Sequence, residues 1–89
     1  MRRINLSKRA QKFLDQLPPK QRRQVSGKLL ELAKDPTPAD SGQLKGFPYL
    51  RADIGEYRII YRFDGEELAV PIIGKRNDDD VYRQLRRLE

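Results

Sequence analysis

Two turn signals in the second half of the chain restrict its fold more than any other feature. Gly55-Glu56 and Asp64-Gly65 separate three short runs rich in Ile, Tyr, Phe and Leu. A type II′ turn takes glycine at its first central position, and a type I′ turn favours Asp-Gly. The pattern therefore predicts two tight hairpins and a three-stranded antiparallel sheet whose register can be counted outward from the turns.

This register sorts the side chains of the sheet onto two faces, because neighbours along a strand alternate in direction. It pairs Ile54 with Tyr57 and Phe63 with Glu66. One face is predicted to be apolar and to receive helices: Leu50, Ala52, Ile54, Tyr57, Ile59, Tyr61, Leu68, Val70 and Ile72. The other is predicted to be polar, and basic in its middle: Tyr49, Arg51, Asp53, Arg58, Ile60, Arg62, Glu67, Ala69 and Pro71.

Two cross-strand ion pairs follow from the same register. Arg58 lies opposite Asp53, and Arg62 lies opposite Glu67, each pair contributing roughly 0.2 to 1 kcal/mol. Pro71 also falls opposite Arg58. Because proline has no N–H for the strand ladder, its presence indicates an edge or a bulge.

A short strand and a helix are predicted before the sheet. Arg3–Leu6 suits the strand, and Ser7 suits the N-cap of the helix. Pro18 ends this helix, and Pro19 is well placed to open another, since the first turn does not need its missing N–H. Apolar residues recur at helical spacing: Leu6, Ala10, Phe13, Leu14 and Leu17.

The second helix is predicted from Lys20 to about Lys34 and forms an antiparallel hairpin with the first. Arg22, Arg23 and Lys28 are predicted to remain on its solvent-facing surface, either simply solvated or in contact with a nucleic-acid backbone. Its apolar positions repeat at i, i+4, i+7 and i+8: Val25, Leu29, Leu32 and Ala33.

The remaining segments are a loop and a last helix. Residues 35–42, with two prolines and a glycine, are predicted to be a connecting loop. The third strand of the sheet is predicted to end at Gly74. The final helix is predicted to present one apolar stripe, with Tyr82 beside it in the first turn: Val81, Leu85 and Leu88.

The acidic residues before this helix have a structural explanation. Asn77 or Asp78 suits its N-cap, and the run Asp78–Asp80 suits the positive end of the helix dipole without a bound metal. The predicted fold is α+β, with elements in the order β-α-α-β-β-β-α and the N-terminal helical hairpin on one face of the sheet. The 89 residues are expected to form one domain, 1–89.

The composition limits the chemistry. The chain has 19 Lys and Arg against 13 Asp and Glu, so its net charge of +6 favours an anionic partner or, equally, serves solubility. It has no histidine and no cysteine, which excludes a histidine-ligated zinc site, a serine triad and disulfides. No signal peptide or membrane-spanning run is found, so a cytoplasmic protein is expected.

Several basic residues and one tyrosine are predicted to converge on the polar face. Arg58 and Arg51 lie on neighbouring strands, Lys75 and Arg76 follow the third strand, and Tyr82 comes six residues later. Guanidinium groups bind phosphate oxygens and neutralise transition-state charge, and tyrosine transfers a proton or stacks on a base. This set suits a phosphodiester, although Tyr82 by itself is better explained as a half-buried packing residue.

The chain resembles the RelE/ParE superfamily of toxins from type II toxin-antitoxin pairs. The resemblance extends over nearly the whole length and rests on the two-helix start, the LKGFP lead-in, the segment RADIGEYRIIYRFDGEEL and the closing GKRNDDDVY. It implies the fold predicted above. For RelE-type members it implies a ribosome-dependent mRNA endoribonuclease, a translation inhibitor that needs no metal or cofactor and promotes attack of a ribose 2′-OH on the scissile phosphate.

Site residues follow from the resemblance by position. Arg58 corresponds to the arginine that contacts the scissile phosphate, Arg76 to the one that stabilises the transition state, and Tyr82 to the tyrosine that stacks on or activates the nucleotide. Candidate RNA-binding residues are Arg51, Lys75, Arg62 and Lys45. The implied partners are a cognate antitoxin, which forms a hetero-oligomer with the toxin and covers its basic face, the ribosome and mRNA.

Asp53 departs from the RelE pattern, which has a lysine implicated in proton transfer at this position. The carboxylate is then either the general base itself or only the ion-pair partner of Arg58. A ParE-type toxin that poisons DNA gyrase without nuclease residues is the alternative function. An inactive homologue that acts as co-repressor with its antitoxin is another.

Overall fold

The computed structural model describes residues 1–77 and 80–88, which include three helices and five strands. The elements in chain order are β1 (Arg3–Leu6), α1 (Lys8–Asp15), α2 (Pro19–Lys34), β2 (Ser41–Gln43), β3 (Leu50–Ile54), β4 (Tyr57–Phe63), β5 (Glu67–Lys75) and α3 (Asp80–Leu88). The α+β class and the predicted order are confirmed. The structure adds the short strand β2 at the end of the predicted loop. Across the described ranges, no helix is long and apolar enough to cross a membrane.

All five strands belong to one sheet, in the order β1-β5-β4-β3-β2. The first strand runs parallel to β5, and the other neighbours are antiparallel. The strand that contains Pro71 is therefore an interior strand rather than an edge.

Helices α1 and α2 cover one face of the sheet and form the larger core with it. The Ser7 hydroxyl caps α1 as predicted, accepting a hydrogen bond from the Ala10 amide at 3.0 Å. The buried residues of this core are Ala10, Leu14, Val25, Leu29, Leu32, Ala33, Ala52, Tyr57, Ile59, Tyr61, Leu68, Val70 and Ile73. The predicted helical stripes of α1 and α2 thus face the sheet.

The first hairpin confirms the predicted register. Ile54 pairs with Tyr57, and Asp53 pairs with Arg58. Gly55 has a φ of +57°, while Glu56 does not adopt a positive φ, as a type II′ turn requires. Glycine is needed at this position because other residues are strained there.

The second hairpin differs from the prediction, because Phe63 pairs with Leu68 rather than with Glu66. Gly65 does not adopt the positive φ that a type I′ turn requires. Instead, the Asp64 carboxylate accepts hydrogen bonds from the amides of Glu66 and Glu67, both at 2.8 Å, and closes a longer connection. The turn is therefore stabilised by the side chain of Asp64, and not by a positive φ at Gly65.

The shifted register removes one predicted ion pair. Arg62 faces Ala69 instead of Glu67. The Glu67 carboxylate accepts a hydrogen bond from Asn5 Nδ2 at 3.2 Å, across the parallel pair of strands. The prediction of an Arg62–Glu67 pair was therefore wrong.

Pro71 lies at a β-bulge. Between the pairs Arg62–Ala69 and Ile60–Ile72, the single residue Tyr61 faces two residues of β5. A bulge leaves one residue out of the ladder, so it accommodates proline in an interior strand. Gly74, rather than Pro71, lies opposite Arg58.

The bulge also reverses the alternation of side chains along the rest of β5. Ile72 was predicted on the helix-covered face, but it lies on the opposite face, and Ile73 takes its place. Strand β5 continues to Lys75, one residue past the predicted end at Gly74.

A second core on the opposite face corrects the prediction that this face is polar throughout. Helix α3 packs there, together with the segment between β2 and β3. The buried members are Leu44, Ile60, Ile72, Val81 and Leu85, with Phe47, Tyr49 and Tyr82 partly buried against them. Leu88 was predicted in the stripe of α3, but it is 48% exposed.

Lys28 was predicted on the surface and is instead buried on α2. Its ammonium donates hydrogen bonds to Asp40 at 2.7 Å and to Glu31 at 3.4 Å. The Tyr61 hydroxyl donates to the Pro36 carbonyl at 2.6 Å, and burial raises the pKa of this phenol. These contacts fix the segment between α2 and β2 against the first core.

Candidate functional site

Arg58 lies in the middle of the sheet on β4, on the face where Tyr82 of α3 contacts it. It pairs with Asp53 through Nε to Oδ1 at 2.7 Å and Nη2 to Oδ2 at 3.1 Å. Its Nη1 donates a hydrogen bond to the Tyr82 hydroxyl at 2.5 Å. One guanidinium thus joins β3, β4 and α3, and the predicted Asp53–Arg58 pair is confirmed.

Three arginines act on the Asp53 carboxylate. The hydrogen bonds from Arg58 hold the pKa of Asp53 below its ordinary value of 3.8, and the charges of Arg51 and Arg76 lower it further. Arg51 Nη1 lies 3.9 Å from Asp53 Oδ2. Among the described side chains, three arginines act on this one carboxylate, so the group that they form has an excess of positive charge.

The absence of a side chain at Gly42 leaves room for the guanidinium of Arg51. It faces Arg51 across β2 and β3, and a Cβ added at Gly42 would lie 3.2 Å from Arg51 Nη2. The guanidinium therefore lies close against the backbone of β2, and a side chain at Gly42 would displace it by a few tenths of an ångström. Sequence reasoning missed this role because strand β2 was interpreted as loop.

The absence of a side chain at Gly74 leaves room for α3. It is buried, and a Cβ added there would lie 2.6 Å from Val81 Cγ2. The absence of a side chain lets α3 approach the sheet closely enough for Tyr82 to reach Arg58. A glycine inside a strand was the available signal, but the wrong register placed it away from Arg58.

Arg76 and Lys75, at the end of β5, take different positions relative to the site. Arg76 is exposed in the turn after β5, its amide donates to the Glu56 carbonyl at 2.9 Å, and its charge acts on Asp53. Lys75 pairs with Tyr57, so its register position belongs to the face that α1 and α2 cover. The structure brings Arg76 to the site but does not bring Lys75 there.

Arg62 and Lys45 lie away from the arginine cluster. Arg62 is exposed and places its guanidinium carbon 5.9 Å from the centre of the Tyr49 ring. Lys45 is exposed in the segment between β2 and β3. Both increase the positive charge of the surface without joining the hydrogen-bonded group around Arg58. The predicted cap at Asp78, like the side chains of the run Asp78–Asp80, lies outside the described residues.

The geometry bears on the two roles considered for Asp53. A general base works best when its pKa lies near the working pH. Asp53 is ionised, with a lowered pKa, and both of its oxygens already accept hydrogen bonds from Arg58. The arrangement favours an ion-pair partner over a proton acceptor.

Residues 4–80 match the family described as ParE toxin of type II toxin-antitoxin system, parDE. No curated protein sequence matches the chain. The solved structures that are similar to it include three RelE proteins, one free and two in complex with an antitoxin.

A mutant of the E. coli toxin RelE in the free state has a TM-score of 0.80 and 23% identity, over 98% of this chain and 96% of that chain. RelE in the intact E. coli RelBE toxin-antitoxin complex has a TM-score of 0.72 and 26% identity, with 84% and 96% covered. The archaeal RelE–RelB complex from Pyrococcus horikoshii has a TM-score of 0.73 and 25% identity, with 84% and 94% covered.

Proposed function

The chain belongs to the family of ParE toxins of type II toxin-antitoxin systems, within the RelE/ParE superfamily, and from the side chains around Arg58 we propose that it is a ribosome-dependent mRNA endoribonuclease. One observation carries the proposal. Arg51, Arg58 and Arg76 all act on the Asp53 carboxylate, and Tyr82 is hydrogen-bonded to Arg58. Cations that can stabilise charge on a phosphate, beside a phenol that can transfer a proton, suit the cleavage of a phosphodiester.

The proposed reaction is attack of a ribose 2′-oxygen on the adjacent phosphorus, with cleavage of the bond to the 5′-oxygen. The products are a 2′,3′-cyclic phosphate and a 5′-hydroxyl. Arg76 and Arg51 neutralise charge on the non-bridging oxygens, and Arg58 orients the Tyr82 hydroxyl. Tyr82 stacks on the nucleotide or transfers a proton. Because the chain has no histidine, any proton transfer has to use Tyr, Lys, Arg, Asp or Glu.

The proposed partners are the ribosome, mRNA and a cognate antitoxin. Two of the similar structures are complexes of RelE with RelB antitoxins. An antitoxin that covered the arginines around Asp53 would block RNA from the site and form a toxin-antitoxin hetero-oligomer. The excess positive charge there suits an acidic segment of such a partner.

Substitution of Arg76 or Tyr82 tests this function in cells. Induction of the wild-type protein should stop translation, and mapped 5′ ends should reveal cleaved transcripts. Arg76→Ala should reduce cleavage about 100- to 1000-fold, the typical cost of removing one transition-state donor. Tyr82→Phe should reduce it as well, because the hydroxyl that Arg58 holds is lost.

Arg22→Ala is the matched control, since Arg22 is an exposed cation on α2, on the other side of the sheet. This variant should cleave at the wild-type rate. Equal cleavage by Arg22→Ala, Arg76→Ala and Tyr82→Phe would contradict the assignment of the site, even if the protein were toxic.

A ParE-type gyrase poison is the second candidate. The matching family is that of ParE toxins, and Arg58 is neutralised by Asp53 in the free protein. Under this alternative, induction produces gyrase-linked DNA breaks while transcripts remain uncut. An inactive homologue that serves as co-repressor would produce neither result.

A further inference from the structure

Asp53 occupies the position that an anionic ligand would take among the arginines. Both of its carboxylate oxygens accept hydrogen bonds from Arg58, in the side-on bidentate geometry with which a guanidinium binds phosphate. Arg51 approaches the same carboxylate, and Arg76 acts on it electrostatically. The carboxylate therefore has the surroundings expected of a bound phosphate.

The Asp53–Arg58 pair is held by two hydrogen bonds, but an external anion can still reach it. Asp53 and Arg58 face each other on adjacent strands, so the carboxylate is tethered next to its partner and any external anion must compete with it. Their side chains are 25% and 16% exposed, whereas that of Arg51 is 38% exposed. An incoming anion thus meets Arg51 and the exposed Arg76 before it meets Arg58.

We propose that Asp53 is an internal anion that competes with a phosphodiester for Arg58. The phosphodiester first engages Arg51 and Arg76, and it gains Arg58 only when the Asp53 carboxylate is displaced. This inference rests on the proposed function for the class of ligand, a phosphodiester of single-stranded RNA. It adds that the chain carries its own competitor, which weakens binding at this site.

The release of Arg58 also affects Tyr82. Arg58 donates to Asp53 and to the Tyr82 hydroxyl at the same time. When a phosphate replaces Asp53, Arg58 can hold both the phosphate and the phenol, which brings the two groups together. Asp53 therefore controls whether Arg58 can bind the phosphate, and it does not itself react.

Binding to the purified protein tests the proposal without any cleavage step. The probes are inorganic phosphate and an RNA trinucleotide with 2′-deoxyribose at its first and second nucleotides, which lacks both 2′-hydroxyls that could attack an adjacent phosphate. Asp53→Asn should bind both probes at least about 5-fold more tightly than the wild type, from the loss of one opposing charge near the site. Equal or weaker binding by a folded Asp53→Asn protein would overturn the proposal.

Glu67→Gln is the matched control, because it removes one negative charge at the other end of β5, where Glu67 accepts from Asn5. It changes the net charge by the same amount as Asp53→Asn, so a general electrostatic effect would improve both variants equally. The double variant Asp53→Asn with Arg58→Ala should lose the gain. A gain that survived without Arg58 would show that Asp53 acts only through its charge and would contradict competition for Arg58.

The wild-type protein gives an independent readout if Asp53→Asn fails to fold. At saturating phosphate, the side-chain Nε resonances of Arg51 and Arg76 should be shifted, and that of Arg58 should have moved away from its position in the Asp53-bound form. The proposal would be contradicted if the Arg51 and Arg76 resonances shifted while that of Arg58 kept its position, because Asp53 would then not be displaced.

Cleavage of ribosome-bound mRNA is measured separately, so the two proposals can fail independently. Tighter binding by Asp53→Asn without any mRNA cleavage by the wild type would support the internal anion and refute the nuclease. Cleavage by the wild type, with Asp53→Asn and Glu67→Gln binding equally, would support the nuclease and refute the internal anion.

Discussion

At the scale of single residues, Arg58 shows how a cation becomes part of the fold and of a site at once. It donates two hydrogen bonds to Asp53 and one to Tyr82. The Asp53 contact raises the pKa of Arg58, whose side chain is mostly buried. Because a partly buried charge needs a partner, this pair contributes to stability as well as to the chemistry of the face.

The stabilising part of the pair should depend on pH. The folded pKa of Asp53 lies below its ordinary value of 3.8, so its contribution is complete above that pH and is lost as pH falls through the folded pKa. Asp53→Asn should lower the free energy of unfolding by about 1 kcal/mol at neutral pH, after solvent screening. Urea denaturation of both proteins should show this difference shrinking below about pH 4.

Asp15→Asn is the control for this measurement. Asp15 is exposed on α1 and accepts a hydrogen bond from Gln11. Its difference from the wild type should be smaller than that of Asp53→Asn at neutral pH. A difference for Asp53→Asn that stayed constant as the pH fell well below the ordinary pKa of aspartate would contradict the lowered pKa.

Gly74 is the residue whose lack of a side chain fixes the position of α3. Gly74→Ala would place a Cβ 2.6 Å from Val81 Cγ2, and we expect this overpacking to cost about 1 to 3 kcal/mol. Amide hydrogen exchange should become faster in α3, and Tyr82 should lose its contact with Arg58. Gly65→Ala should change stability by less than about 0.5 kcal/mol, because a Cβ there meets no atom within 4 Å. Similar exchange in both variants would argue against the close packing of α3 on Gly74.

At the scale of elements, the bulge in β5 connects the start of α1 with the second core. Ser7 Oγ accepts from the Ala10 amide and also donates to the Pro71 carbonyl at 2.6 Å. One hydroxyl therefore caps a helix and binds the bulge of β5. Beyond the bulge, the reversed alternation places Ile72 against α3.

Ser7→Ala tests this link. It removes the helix cap and the hydrogen bond to Pro71, so we expect the free energy of unfolding to fall by about 1 to 2 kcal/mol. Thermal or urea denaturation measures the change. Ser7→Thr keeps a hydroxyl and should lose less than Ser7→Ala. Equal losses for the two variants would mean that the hydroxyl does not make these contacts.

At the scale of the whole molecule, local signals in the sequence were sufficient for most of the fold. Helical spacing and the N-cap at Ser7 predicted α1 and α2, and Gly55-Glu56 fixed the register that places Asp53 opposite Arg58. These features depend on neighbours close in the chain. The closeness of Arg51 to Asp53 and Arg58 follows from the same register, whereas the position of Arg76 depends on β5 beyond the bulge.

The parts that were predicted wrongly depend on tertiary contacts. The turn at Asp64-Gly65 is closed by a side chain, and a bulge at Pro71 then moves every later residue of β5. The burial of Lys28 depends on Asp40, which lies 12 residues away. Periodicity alone carries no information about these contacts.

A reconstituted translation reaction tests most directly whether this toxin cuts mRNA in the ribosome, as we propose. The purified protein is added to mRNA with and without ribosomes, and 5′ ends are mapped by primer extension. We predict new 5′-hydroxyl ends within the coding sequence in the presence of ribosomes, and none in their absence. Intact mRNA in both reactions, with inhibition of purified gyrase by the same protein, would contradict the account.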